Sequence, residues 1–308
     1  MHLDAHAPDL DEASQPHVAE REPAALEVVH GENLEFLRGE RDGSFALIAI
    51  DPPFNTGRVQ RRLRTRTPRD PAGTRIGFRG ETHRVEPVST SAFDDRFGGS
   101  AAYLDFLEPR FVEARRVLTP NGTLVVHVDP RESHYVKVLL DGVFGRRCYL
   151  NQIVWAYDYG ARSRTRWPAK HDVLLVYTKD PKHYTFRYAD MDRVPYLAPK
   201  LVGPEKAARG KTPTDVWWQT IVPPGSKERT GYPTQKPLAI YERLVRVHSN
   251  PGDVLLDFFA GSGTFGEAAA RNGRRAVLVD SSSEAVAVME RRLAAWAPQR
   301  RGGAAQPG

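Results

Sequence analysis

Short apolar runs recur along the chain with polar stretches between them. Leu26 to Val29, Phe45 to Ile50, Thr123 to Val128, Ile153 to Tyr157, Val173 to Tyr177, Val254 to Leu256 and Ala276 to Val279 have the length of strands. Their residues are too continuously apolar for one face to meet water, which predicts strands buried on both sides. Helical patterns lie between many of them. Asp105 to Leu118 stops at the turn Thr119-Pro120-Asn121-Gly122, and Pro237 to His248 stops at Asn250-Pro251-Gly252. Ser282 to Trp296 gathers Ala285, Val286, Val288, Met289 and Leu293 on one face. Such alternation predicts an α/β fold, a sheet with helices on both faces, and no internal repeat is present.

Two segments break the alternation. Residues 58–92 are polar and crowd Arg58, Arg61, Arg62, Arg64, Arg66 and Arg69 together. They read either as a solvated loop or as a mobile basic loop that reaches phosphates. Residues 157–232 are irregular apart from the strand at Val173, with Trp167, Trp217 and Trp218 set among prolines and basic side chains. Aromatic and cationic residues interleaved in this way suit nucleic-acid contact, while tryptophans in so small a lobe also suit a local core. Residues 1–22 and 298–308 lack periodicity and read as disordered tails, which leaves 23–297 as one domain.

Composition narrows the classes. A chain of 308 residues, 40% hydrophobic, can bury one substantial core with a lobe inserted in it. A net charge of +6 permits a polyanionic partner. No apolar stretch is long enough to span a bilayer and the first residues lack the pattern of a secretory signal, so no membrane and a cytoplasmic location are expected. The single cysteine, Cys148, can form neither an internal disulfide nor a metal cluster and reads as a buried structural thiol. The histidines show no zinc spacing, and no metal is expected.

The candidate chemistry lies in two motifs. Asp257-Phe258-Phe259-Ala260-Gly261-Ser262-Gly263-Thr264-Phe265-Gly266 ends a strand, turns tightly and enters a helix, where glycines let a ligand approach the backbone. Gly261, Gly263 and Gly266 fit a dinucleotide fingerprint, and Asp280 ends the next strand where a ribose-binding acid belongs. A nicotinamide-dependent oxidoreductase is therefore one reading. Few residues follow Asp280, however, so a second mononucleotide half cannot follow in sequence. Asp257, an acid at a buried strand end, calls for a cationic partner, which the α-amino group of S-adenosylmethionine would supply.

The second motif is Asp51-Pro52-Pro53-Phe54. With Asp257 to Gly263, and with Thr234-Gln235-Lys236-Pro237 just upstream, it resembles the amino-methyltransferases of DNA, of the β class, in which the catalytic motif precedes the cofactor motif. The resemblance implies a Rossmann-like, circularly permuted sheet of about seven mostly parallel strands, with Leu26 to Val29 at one edge beside Ala276 to Val279. It implies a target-recognition region in 157–232, S-adenosylmethionine as cofactor and DNA as partner. It also allows a homodimer and a cognate restriction enzyme.

Carried over residue by residue, it places Asp51, Pro52, Pro53 and Phe54 at the reacting base. Glu32, Asn33, Lys236, Asp257, Phe259, Gly261, Ser262, Gly263, Thr264 and Asp280 fall around the cofactor. The family often opens with Gly-Asp-Cys where this chain has Gly31-Glu32-Asn33, so Glu32 and Asn33 are carried over by position and not by identity. Arg61, Arg62, Arg64, Arg66, Arg162, Arg164, Arg166, Trp167 and Lys170 are the residues expected on DNA.

The chemistry fits those residue types. An exocyclic base amine is a weak nucleophile because its lone pair is delocalised into the ring, so acceptors on its hydrogens are needed. Asp51 and the Pro52 carbonyl can supply them on a stiff Pro-Pro backbone, and Phe54 offers a face for a flipped base. Asp at the head of the motif favours adenine N6 over cytosine N4, since the family's cytosine enzymes more often carry Ser there. A DNA-binding module with an inactive cofactor site is the remaining alternative. Methylation at cytosine C5 is disfavoured, because Cys148 lies outside any nucleophile motif.

Overall fold

The computed structural model describes residues 26–66, 70–72, 75–76, 82–84, 86–160 and 162–301. From the N-terminus come β1 (Leu26–His30), α1 (Asn33–Gly39) and β2 (Phe45–Ile50). Four strands outside the main sheet follow, β3 (Arg58–Arg66), β4 (Arg75–Ile76), β5 (Thr82–His83) and β6 (Glu86–Asp95). Next are α2 (Ser100–Val117), β7 (Leu118–Val128), α3 (Ser133–Phe144), β8 (Tyr149–Ala156) and β9 (His171–Thr178). The remainder is α4 (Pro204–Arg209), β10 (Val216–Trp218), α5 (Leu238–His248), β11 (Val254–Asp257), α6 (Thr264–Arg271), β12 (Arg275–Asp280), α7 (Ser283–Leu293) and β13 (Gln299–Arg301).

Nine of these strands form one sheet in the order β10-β8-β9-β7-β2-β11-β12-β1-β13. Only β9 runs antiparallel to its neighbours, β7 and β8. Every residue of β2 is buried. Its side chains alternate between two cores, as the pleat requires. Ile48 and Ile50 pack with Leu37, Tyr103, Leu107, Phe111, Val136 and Leu140 of α1, α2 and α3. Leu47 and Ala49 pack with Ile240, Leu244, Phe265, Ala268, Val286 and Met289 of α5, α6 and α7. Each fully buried Leu, Ile or Phe contributes about 1.5–3 kcal/mol relative to exposure, which is why the central strands carry no polar face.

The expected seven strands are all present, and two short edge strands bring the sheet to nine. β13 lies within the stretch expected to be a disordered tail. It pairs parallel to β1 through Glu27, Val28 and Val29, so β1 is not the edge. After α7 the chain passes through a short turn of 3-10 helix and returns to the sheet. β7 begins at Leu118, before the expected turn, and its pairing with β2 slips between Leu118 and Thr123. The expected loop over 58–92 contains an antiparallel ribbon instead, with β3 paired to β6 from Arg58 opposite Asp95 to Arg66 opposite Glu86. In the 157–232 lobe, Trp167 is 96% exposed and Trp218 73%, so these two rings do not form a core. The N-terminal tail and residues 302–308 lie outside the described residues.

Candidate active site

β2 and β11 are adjacent and parallel, with Leu47 opposite Leu255 and Ile48 opposite Leu256. Their carboxyl ends open together, the position where ligands bind in open α/β sheets. Asp51 follows β2 and Asp257 ends β11. Both line a cavity of about 370 Å³, together with Pro52, Pro53, Phe54, Glu32, Asn33, Lys236, Phe259, Gly261, Ser262, Thr264 and Asp280. The two motifs thus converge, and of the expected base and cofactor residues only Gly263 is absent from the wall.

Asp51 is held from two sides. Its Oδ2 accepts from the Lys236 ammonium, which also lies 4.9 Å from the centre of the Phe54 ring. Its Oδ1 is 2.9 Å from Nδ1 of His127, a residue of β7 that is 4% exposed. Burial by itself would raise the Asp51 pKa, but the charges of Lys236 and His127 outweigh it and hold the carboxyl below the ordinary range. Behind His127, Nε2 is 3.1 Å from Oδ2 of Asp172 on β9, and the Tyr157 hydroxyl donates to Oδ1 of the same carboxylate at 3.1 Å. The Phe54 ring meets His127 edge-on at 5.2 Å, and Trp155 lies 5.5 Å away on the other side.

The chain after Phe54 is pinned as well. Asn55 takes a positive φ of 49°. Its N–H donates to Oδ1 of Asp95 at 2.8 Å, the Thr56 N–H to Oδ2 at 3.1 Å, and the Asn55 amide to Glu132 at 3.1 Å. Asp95 is 1% exposed. Its ion-acceptor role at the end of β6 fastens the ribbon to the motif, so the strained turn is compensated by charge-assisted hydrogen bonds.

On the β11 side Asp257 is 2% exposed and accepts the Phe259 N–H at 3.0 Å. Burial pushes its pKa well above the ordinary carboxylate value, and the nearby charges of Asp51 and Asp280 push the same way. Gly261 and Gly263 sit at φ values of 50° and 72°. A Cβ on Gly263 would meet Met289 at 2.9 Å, and one on Gly266 would meet Leu278 at 2.4 Å, so the last glycine lets α6 lie directly on β12. Asp280 accepts the Gly261 N–H at 2.8 Å and the Ser282 N–H at 2.9 Å, one on each oxygen, and thereby braces the glycine turn.

Several expected contacts are already engaged within the protein. Glu32 caps α1 through Leu34 and Glu35 and pairs with Arg110, while Asn33 donates to the Phe258 carbonyl at 2.9 Å. Lys236, expected around the cofactor, meets the glycine turn through its backbone: its carbonyl accepts from the Thr264 hydroxyl at 3.3 Å. Its side chain belongs to Asp51.

Among the described side chains expected on DNA, none lines the cavity. Arg162, Arg164, Arg166 and Trp167 are exposed on the loop between β8 and β9, and Lys170 pairs with Asp158 at 3.1 Å. Arg61, Arg62, Arg64 and Arg66 lie on β3, but their side chains are outside the described residues. His127, Asp172, Tyr157 and Asp95 escaped the motif reading. One signal was available for His127: it interrupts the apolar run Leu124 to Val128, and a polar residue in a strand buried on both sides needs partners.

A family model described as DNA methylase matches residues 45–291. The chain is 30% identical over 261 residues to the type II methyltransferase M.HpaI of Haemophilus parainfluenzae, covering 84% of this chain and 71% of that protein. It is 27% identical to the DNA adenine methyltransferase YhdJ of Escherichia coli strain K12, covering 87% and 83%. Among solved structures, the cytosine-N4-specific PvuII DNA methyltransferase superposes with a TM-score of 0.60 at 15% identity, covering 88% and 89%. The M1.HpyAVI complex with SAM superposes with a TM-score of 0.54 at 19% identity, covering 87% and 98%.

Proposed function

The chain belongs to the DNA methylase family, the N6-adenine and N4-cytosine amino-methyltransferases, and from that premise we propose that it moves a methyl group from S-adenosylmethionine to the N6 amine of an adenine flipped out of duplex DNA. The observation that carries this reading is the single cavity in which the Asp51 to Phe54 motif faces Asp257, the glycine turn and Asp280.

The residues suit the cofactor. Asp257 is a buried carboxylate that accepts from the Phe259 N–H, and an α-amino group would neutralise it. Asp280 retains acceptor capacity for ribose hydroxyls beyond its two backbone donors. The turn at Ser262 to Thr264 opens α6, whose N-terminal amides favour a carboxylate. When bound, S-adenosylmethionine supplies a sulfonium-activated methyl. A nicotinamide, the other reading of the glycine turn, leaves Asp51 and Phe54 without a role.

At the base, Asp51 and the Pro52 carbonyl accept the two amine hydrogens and draw the nitrogen lone pair out of the ring, and Phe54 stacks the base. Lys236 occupies the place that this reading gives to the amine, between Asp51 Oδ2 and the Phe54 ring, so base entry exchanges one N–H donor for another. The depressed pKa of Asp51 suits an acceptor and not a strong base. Most of the rate gain is then orientation and electrostatics. In this reading Arg162, Arg164, Arg166, Trp167 and the β3 arginines contact DNA, with the 157–232 lobe setting the target sequence.

Adenine is favoured over cytosine by Asp51 at the head of the motif and by the likeness to an adenine methyltransferase at 27% identity. The test is modification-sensitive sequencing of DNA from cells expressing the chain. N6-methyladenine in one sequence context is the expected result. N4-methylcytosine would overturn the adenine reading, and unmodified DNA would overturn the activity.

A further inference from the structure

Asp51 and Phe54 share a neighbour that no motif contains. His127 is buried at the end of β7, one ring nitrogen 2.9 Å from Asp51 and the other 3.1 Å from Asp172, with the Phe54 ring edge against it. A neutral imidazole carries one N–H and would turn a lone pair toward one of the two carboxylates. A doubly protonated ring hydrogen-bonds Asp172 and forms an ion pair with Oδ1 of Asp51, a buried oxygen with no aligned hydrogen bond of its own. Asp172 is fixed in turn by the Tyr157 hydroxyl, and the Trp155 ring packs 5.5 Å from the imidazole.

We propose that His127 is a positioning residue of methyl transfer: as an imidazolium clamped between Asp172 and Asp51, it ties up Oδ1 of Asp51 and so aims Oδ2 at the amine of the flipped base. This rests on the methyltransferase reading above. The carboxyl group rotates freely about its last torsion unless one oxygen is held, and an acceptor must lie within a few tenths of an ångström of its target to matter. Lys236 cannot do the holding, because it sits on the oxygen that the amine must use. His127 can, because it approaches from the sheet side and leaves the cavity side open. His127 itself is absent from the cavity wall, so its action passes through Asp51.

The charged groups around the ring agree with the assignment. Burial lowers the His127 pKa, Asp51 raises it, Lys236 lowers it, and hydrogen bonding to Asp172 and Asp51 raises it, with a net displacement upward. Tyr157 acts at one remove, through Asp172. Removing Asp172 should therefore discharge the imidazole at a lower pH without touching the cavity.

Two measurements test this. In the first, ring-nitrogen NMR of the free protein follows His127 against pH in wild type and in Asp172→Asn. Wild-type His127 should remain doubly protonated above the ordinary histidine range, and the substitution should move its titration to lower pH. An ordinary titration unaffected by Asp172→Asn overturns the clamp whether or not the protein methylates DNA. In the second, transfer of labelled methyl groups to unmodified genomic DNA is measured against pH. His127→Ala should lower kcat about 100-fold, the cost of a misplaced reacting group, with cofactor affinity within about threefold, since His127 does not reach that half of the cavity. His127→Asn, which keeps a donor near the Nδ1 position, should recover more activity than His127→Gln, and Asp172→Asn should shift the alkaline fall of kcat to lower pH. Equal losses in the Asn and Gln variants, with an unshifted pH profile, would mean that His127 is only part of the packing. Wild type that transfers no methyl group would instead remove the methyltransferase reading and leave the NMR result standing.

Discussion

Asp51 and Asp257 stand at the carboxyl ends of neighbouring parallel strands and open into the same cavity, Asp257 buried and Asp51 half-buried, yet their electrostatics are opposite. Asp51 has two cationic neighbours, Lys236 and His127, and its pKa is depressed. Asp257 has a backbone N–H and two nearby carboxylates, with only a smaller opposing effect of the Lys236 charge, and burial raises its pKa well above the usual range. Burial acts alike on both. The difference comes chiefly from what stands beside each carboxyl group: the Asp51 half of the cavity carries its own countercharge, and the Asp257 half has the chemistry to take a cationic group.

The comparison breaks first on activity. Asp51→Ala should lower methyl transfer by about a thousandfold, the upper range for losing one charge-stabilising group, while calorimetric cofactor affinity stays within about threefold. Near wild-type turnover in this variant would remove Asp51 from the reaction.

Stability should separate the two acids by sign. Asp51→Asn leaves the Lys236 and His127 charges facing a neutral amide, so it should destabilise the protein, toward the lower end of the roughly 3–5 kcal/mol for breaking a buried pair. Asp257→Asn should do the reverse. The folded-state pKa of Asp257 lies above its unfolded value, so stability is full below the unfolded value and is lost as pH rises through the folded one. At neutral pH the amide avoids that loss, and the cofactor-free melting temperature should rise by about 2–4 °C per kcal/mol relieved. Thermal melts of the two variants side by side would erase the distinction if they moved in the same direction.

Cofactor binding follows in size. Asp257→Ala should raise the Kd for S-adenosylmethionine by about 10–100-fold, the worth of one hydrogen bond to a charged group. The smallest effect is on pH. Since Asp257 must ionise to take an ammonium group, wild-type affinity should rise with pH across the region where Asp257 titrates, by at most about tenfold per unit. Asp257→Asn should flatten that dependence, and a slope that survives the substitution would assign the proton to another group.

Much of this was legible in the chain. The apolar run Phe45 to Ile50 announced a strand buried on both faces, and the structure places helices on both sides of it. The helix faces followed as well, with Ala285, Val286, Val288, Met289 and Leu293 all buried. The edges were less legible. β10 and β13 are three residues each and mostly exposed, too short for a period to be read. The ribbon of β3 and β6 has no apolar alternation that would distinguish it from a loop. The base motif and the glycine turn were visible because their chemistry sits in consecutive residues.

What the sequence determined by itself is what depends on neighbours along the chain: strand and helix periods, the stiff Pro-Pro backbone and the glycines that permit a tight turn. The tertiary structure alone decided the charges. Lys236 was expected at the cofactor and stands on Asp51, His127 and Asp95 reach the Asp51 to Thr56 segment from β7 and β6, and Asp172 of β9 backs His127. Electrostatic interactions act through space over a few ångströms, and the register of the sheet sets which residues lie that close. No local pattern encodes that register, so the partner of a buried carboxylate could be required from sequence but not named.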